Sequence, residues 1–199
     1  MSIRAVFFDL GGVILRTEYQ APREHLAERL NLTYEDVYRA VFESETSRKA
    51  SLGTVSEDEH WDAVTRKLGR PVTEAKAIRD EFFAGDMIDR GLLDFIRSLR
   101  PRYTTGVISN AWPNLRAYIA ENKFDDAFDS LTISAEVGVM KPQPKIFQLA
   151  LEQAKVQASE AVFVDDTPAN IEAANTLGMH GILFRDPRET LAELKNFLG

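Results

Sequence analysis

Four clusters of polar residues in this 199-residue chain are of types that could do chemistry. Asp9 ends the apolar run Val6-Phe7-Phe8, and Gly11 and Gly12 follow it closely. Ser109 and Asn110 close a second run, and Lys141 stands just ahead of the Pro-x-Pro start of a helix at Pro142 and Pro144. Asp165 and Asp166 end a further run, with Asn170 a turn later. Asp9, Asp165 and Asp166 would form a set of hard oxygens suited to Mg2+, which takes one or two carboxylates, waters and a substrate phosphate. Ser109, with the N–H groups of Asn110 and Ala111 ahead of a helix near Trp112-Pro113, would form an anion site. Lys141 would add a positive point charge. A carboxylate surrounded by a metal, amide donors and a lysine has the parts needed for phosphoryl transfer. A carboxylate nucleophile can form an aspartyl phosphate.

Taken singly, each residue has a plainer reading. Asp after a strand is a common turn former, Asp165-Asp166 could cap the next helix, and a loop lysine is usually solvated. What joins them is the set of elements that carry them. Five short apolar or β-branched runs stand out: 3–8, 103–108, 130–133, 161–164 and 181–184. Several are continuously apolar, as strands buried on both faces are. Helical patterns lie between the later runs, at 115–121, 144–154 and 169–177, the last stopping at Gly178. This alternation predicts an α/β fold, a doubly wound parallel Rossmann-like sheet of about five strands. In such sheets ligands bind beyond the carboxyl ends of the strands. Parallel strands would therefore bring Asp9, Ser109, Asn110 and Asp165-Asp166 to one edge.

The stretch 16–90 differs, with almost no strand-like run. Four amphipathic helices are expected, at 22–30, 33–44, 56–68 and 73–83, with Thr33/Asp36 and Ser56/Glu59 resembling capping boxes. We read 16–90 as a small all-helical domain inserted into a core formed by 1–15 and 91–199. A helix at 90–99 returns the chain to the sheet.

Composition narrows the class. A net charge of -7 with no long basic run argues against nucleic acid or an anionic membrane as the main partner. The absence of cysteine excludes disulfides and thiolate metal sites. No leader pattern opens the chain and no apolar run could span a bilayer, so a soluble, cytoplasmic protein is expected. The sequence leaves a homodimer open.

Together these residues resemble the haloacid dehalogenase-like (HAD) superfamily of hydrolases, in its phosphatase form with a helical cap after the first strand. Asp9 matches the family's strand-end nucleophile, Ser109 its phosphate-binding Ser/Thr, Lys141 in Gly138-Val139-Met140-Lys141-Pro142 the third-motif lysine, and Asp165-Asp166 the acidic metal motif. The resemblance implies that Asp9 and Asp166 ligate magnesium, with the Gly11 carbonyl as a third ligand. It places Asp165 and Asn170 behind them, Asn170 orienting the carboxylates, and puts Ser109, Asn110, Ala111 and Lys141 on the phosphate. The chain departs from the pattern at Gly11, where most family phosphatases carry an Asp that protonates the leaving group. Such a group contributes about 10²–10⁴-fold. The expectation is a magnesium-dependent phosphatase of a small phosphorylated metabolite, such as a sugar phosphate, working through an aspartyl phosphate on Asp9. It would be slow or selective for good leaving groups. The alternatives are a 2-haloacid dehalogenase-type hydrolase and a non-catalytic phosphate-binding relative. Arg48, Lys49 and His60 are candidate substrate readers in the insert.

Overall fold

The computed structural model describes residues 2–198, and all elements below are counted among them. Met1 and Gly199, the outermost residues of the expected core segments, lie outside that range. Seven strands form: β1 (Ala5–Phe8), β2 (Leu15–Thr17), β3 (Asp86–Ile88), β4 (Thr104–Ser109), β5 (Ser130–Ile133), β6 (Ala161–Asp165) and β7 (His180–Leu183). Five of them make one sheet in the order β5-β4-β1-β6-β7. Each neighbouring pair in it is parallel. β1 is central and fully buried, which is why its sequence is an unbroken apolar run rather than an alternating one.

Side-chain alternation along β1 feeds two cores. Val6 and Phe8 face the helix Arg90–Ser98 through Leu92, Leu93 and Ile96. Ala5 and Phe7 face the helices Pro144–Ala154 and Pro168–Leu177 through Phe147, Ala150 and Ala174. The helix ends follow local chemistry: the Asp89 carboxylate accepts the Leu92 N–H at the start of Arg90–Ser98. Proline opens Pro144–Ala154 and Pro168–Leu177, and Gly178, at φ 96, closes the latter. A C-terminal helix, Pro187–Phe197, adds to the expected set and is capped by Asp186.

Between β2 and β3 the chain runs through the helices Ala21–Leu30, Tyr34–Phe42, Glu45–Ser51, Glu57–Lys67 and Ala75–Phe82. Leu26, Val37, Val41, Trp61, Val64, Ile78 and Phe82 give this insert its own core. Both expected capping boxes form, at Thr33/Asp36 and Ser56/Glu59. Two details differ from the sequence reading. Ser44 does not end a long helix but caps the separate helix Glu45–Ser51, accepting the Ser47 N–H. The segment expected to be almost free of strands holds the antiparallel ribbon β2–β3 at its two stems.

Ion pairs fasten that ribbon. Arg23, 5% exposed, places Nη2 2.8 Å from Asp86 Oδ1, and Thr17 donates to the same oxygen at 2.8 Å. Arg16 pairs with Asp89 at 2.9 Å. Breaking a buried pair costs about 3–5 kcal/mol, against about 0.3–0.5 for exposed i,i+4 pairs such as Arg39–Glu35. The Arg23–Asp86 pair therefore holds the stems far more than the exposed pairs on the insert's surface do. Among the described residues, no helix is long and apolar enough to cross a membrane.

Candidate active site

The sheet register aligns the two main acidic positions. Phe8 of β1 stands opposite Val164 of β6, so Asp9 and Asp165 come next to each other one residue on. The Asp9 N–H donates to the Val164 carbonyl at 2.8 Å, and Asp9 Oδ1 accepts the Leu10 N–H at 2.7 Å. Three residues after Asp9, Gly12 takes φ +78, and a Cβ built there would collide with the Asp166 carboxylate. Glycine is needed at this position both for the left-handed backbone and for the close approach of Asp166. Gly11 is different: it lies at the surface, and a Cβ there would have no atom within 4 Å.

Lys141 is 4% exposed, and a buried ammonium must be paired. Its Nζ lies 2.9 Å from Asp9 Oδ2 and 2.6 Å from Asp165 Oδ2, above the Phe163 ring at 5.4 Å. Asp165 is fully buried and well supplied with donors. Its Oδ1 accepts the Thr167 N–H at 2.7 Å, and Asn170 Nδ2 reaches both of its oxygens at 3.1 Å. Asp166 is the most open of the three carboxylates, with the Thr167 hydroxyl donating to its Oδ1 at 3.3 Å.

One oxygen from each of Asp9, Asp165 and Asp166 falls within 4.8 Å of the others. Three carboxylates around one ammonium leave net negative charge. Burial pushes the Asp9 carboxyl up to about 6 against the opposing pull of Lys141, and Asp165 adds to the rise. Burial, then the neighbouring Asp165, also raises Asp166. The all-oxygen donor set fits a hard divalent cation such as Mg2+. Both Asp9 and Asp165 already accept a donor at each oxygen, whereas Asp166 is the more open of the three.

Ser109 ends β4, 3% exposed. Asn110 is clamped to the lysine's backbone: its Nδ2 donates to the Lys141 carbonyl at 2.9 Å, and its Oδ1 accepts the Lys141 N–H at 2.7 Å. Ala111, expected to offer a free amide, is engaged within the core. The Ala111 N–H donates to Ser134 Oγ at 3.0 Å, and that hydroxyl also reaches the Ala111 carbonyl at 3.3 Å. The following helix begins only at Leu115 and ends at Glu121, too short and too far on to supply the expected anion site. Ser134 escaped the sequence reading although it directly follows β5, where the rule that located the other residues applies.

The three candidate substrate readers lie close together but differ in setting. His60 is fully buried, its Nδ1 3.0 Å from Thr46 Oγ1 and its ring 4.5 Å from that of Trp112. Burial drives its pKa down to about 4, so it is neutral at pH 7. Lys49 pairs with Glu45 at 2.8 Å, and Arg48 is exposed.

Comparison with known proteins places this geometry in context. The family model for haloacid dehalogenase-like hydrolases matches residues 3–178. A D-ribitol-5-phosphate phosphatase of Bacteroides thetaiotaomicron is 28% identical over 186 residues, covering 88% of this chain and 89% of the relative. Bifunctional epoxide hydrolase 2 of Rattus norvegicus is 27% identical over 218 residues. That match takes in 100% of this chain but 39% of the relative, so the chain spans about two fifths of its length. Among solved structures, a HAD family enzyme of Bacteroides thetaiotaomicron in complex with magnesium and inorganic phosphate superposes with a TM-score of 0.77. It is 22% identical, and the match covers 94% of this chain and 96% of that one; at this identity the likeness is one of fold.

Proposed function

This chain belongs to the haloacid dehalogenase-like hydrolases, and from that premise we propose that it is a magnesium-dependent phosphatase of small phosphorylated metabolites, sugar phosphates among them. The observation that carries the reading is the placement of Lys141 Nζ between Asp9 and Asp165, with Asp166 completing a set of carboxylates suited to a divalent cation. The likeness to a D-ribitol-5-phosphate phosphatase over most of both chains supports the substrate class.

In this reading Asp9 is the nucleophile. A carboxylate oxygen attacks phosphorus, the ester P–O bond breaks, and its electron pair leaves on the alcohol oxygen. Gly11 offers no side-chain proton, so the departing oxygen takes its proton from solvent. Water then attacks phosphorus of the aspartyl phosphate, the bond to Asp9 breaks, and phosphate and a proton leave. Ser109 and Lys141 hold the phosphoryl oxygens, and Lys141 also fixes Asp9 in place. A cation held by Asp9, Asp166 and the Gly11 carbonyl would offset charge on the transferring group. Asp165 and Asn170 position Lys141 and the loop that follows β6. The insert 16–90 serves as a cap over the core formed by 1–15 and 91–199.

Phosphate release across a panel of aryl, acyl and sugar phosphates, with and without Mg2+, tests the reading. Magnesium-dependent release that disappears in Asp9→Asn is expected. Release that persists in Asp9→Asn, or hydrolysis of a 2-haloacid in excess chelator, would overturn it.

A further inference from the structure

The loop that follows Ser109 is gripped from two sides. On the core side, Asn110 is clamped to the backbone of Lys141, and Ala111 to the Ser134 hydroxyl. On the other side, the next residue leaves the core altogether. Trp112 inserts its ring among four aromatic groups of the helical insert and packs against that insert's core. Its ring centroid lies 4.5 Å from His60, 5.8 Å from Trp61, 5.9 Å from Phe42 and 6.3 Å from Phe83. Trp61 and Phe83 meet it edge-on and Phe42 stacks on it, the geometries aromatic rings favour. A second contact leads to the same network. Gly53, at φ +71, packs so closely on the Ala135 carbonyl that no Cβ would fit, and Ala135 follows the Ser134 that holds Ala111.

We propose that Trp112 is a positioning residue: it locks the helical insert to the loop bearing Ser109 and Asn110, so that the seating of the insert sets the position of Ser109 and, through Asn110, of Lys141. The proposal rests on the phosphatase reading for its catalytic consequence, while its structural part stands on the contacts alone. A ring removed from the box frees the loop on one side. Misplacement of a reacting group by about 1 Å can cost about 10²-fold in rate.

Three variants of the full chain test it. With Mg2+ and p-nitrophenyl phosphate, Trp112→Ala is expected to lower kcat per folded molecule about 10²-fold, with a far smaller change in KM. Trp112→Phe keeps a ring in the box and should stay within about threefold of the wild type. Hydrogen exchange reads the coupling without turnover. Amides of 109–112 and 138–141 should exchange about tenfold faster in Trp112→Ala than in Trp112→Phe. Trp61 and Trp112 are the only tryptophans in the chain, so Trp61→Phe leaves Trp112 as the sole emitter. Addition of Mg2+ and orthovanadate should shift its emission. A wild type that hydrolyses no phosphate ester refutes the phosphatase reading and leaves hydrogen exchange to decide the coupling. Faster exchange confined to the insert, or a folded Trp112→Ala with wild-type kcat, overturns the proposal.

Discussion

If Gly11 stands where a general acid is missing, replacing it by Asp should raise hydrolysis of alkyl phosphates far more than that of aryl phosphates. The position lies at the surface, its φ is not in the left-handed region, and a Cβ there has no atom within 4 Å. A surface substitution of this kind should change stability by no more than about 0.5 kcal/mol. The catalytic effect should be much larger. A placed general acid contributes about 10²–10⁴-fold, and at about 1.36 kcal/mol per decade that is about 2.7–5.4 kcal/mol of barrier. The gain belongs to esters whose alkoxide needs a proton. p-Nitrophenolate departs without one, so the aryl ester should gain little. The assay is kcat/KM for an alkyl and an aryl phosphate at saturating Mg2+, in wild type, Gly11→Asp and Gly11→Asn. The alkyl-to-aryl ratio should rise about 10²-fold or more in Gly11→Asp and stay flat in Gly11→Asn, which has the shape without the proton. A folded Gly11→Asp with an unchanged ratio, chemistry being rate-limiting, would refute the assignment of Gly11 as the missing acid.

The neighbouring glycine should behave in the opposite way: Gly12→Ala places a side chain at φ +78 against Asp166, and should weaken Mg2+ binding and cost about 1–2 kcal/mol or more. Isothermal titration and urea midpoints check both effects, and a neutral Gly12→Ala would contradict the packing. In the metal-free protein, Asp9 keeps its proton up to about 6, whereas the unfolded chain loses it near 3.8. The Asp9 contribution to stability therefore falls as pH rises through that window, and the stability of Asp9→Asn relative to the wild type should rise across it. Magnesium affinity should weaken below about pH 6, where the proton must be displaced first; an affinity flat from pH 5 to 7 would count against it. His60 has the opposite linkage, because its folded pKa, about 4, lies below its unfolded 6.5. Its contribution is complete above 6.5 and is lost as pH falls toward 4, so in an Asp9→Asn background, free of the opposing Asp9 titration, the urea midpoint should drop between pH 7 and pH 5. The drop should be smaller in His60→Phe, and equal drops would sink the assignment.

The sheet and the acidic cluster were legible because each depends on local pattern. Continuous apolar runs marked β1, β4 and β6, and the polar residues after each run marked Asp9, Ser109-Asn110 and Asp165-Asp166. Capping boxes at Thr33 and Ser56 marked two helices of the insert in the same way. Features built by distant partners were not legible. β2 and β3 have three residues each, carry Arg16, Thr17 and Asp86, and pair across the whole insert, so neither shows a strand period. The burial of His60, a candidate substrate reader by sequence, was not legible because Trp112, whose ring packs on it, lies 52 positions on. Ala111 looked like a free donor because Ser134, its acceptor, comes from another strand end. The helix Pro187–Phe197 did carry local signals, with Asp186 capping, Pro187 opening and Glu189 in the first turn, and could have been found from them.

The central claim is that Asp9 takes the phosphoryl group from substrate. Acid quenching during turnover of an aryl phosphate with Mg2+, followed by peptide mass spectrometry, tests it most directly. Gly11 offers no carboxylate to take the proton of the attacking water, so the intermediate should accumulate. The expected result is a base-labile phosphoryl adduct on Asp9, dependent on Mg2+ and absent from Asp9→Asn. Turnover that continues in Asp9→Asn, or an adduct on any other residue, would contradict it.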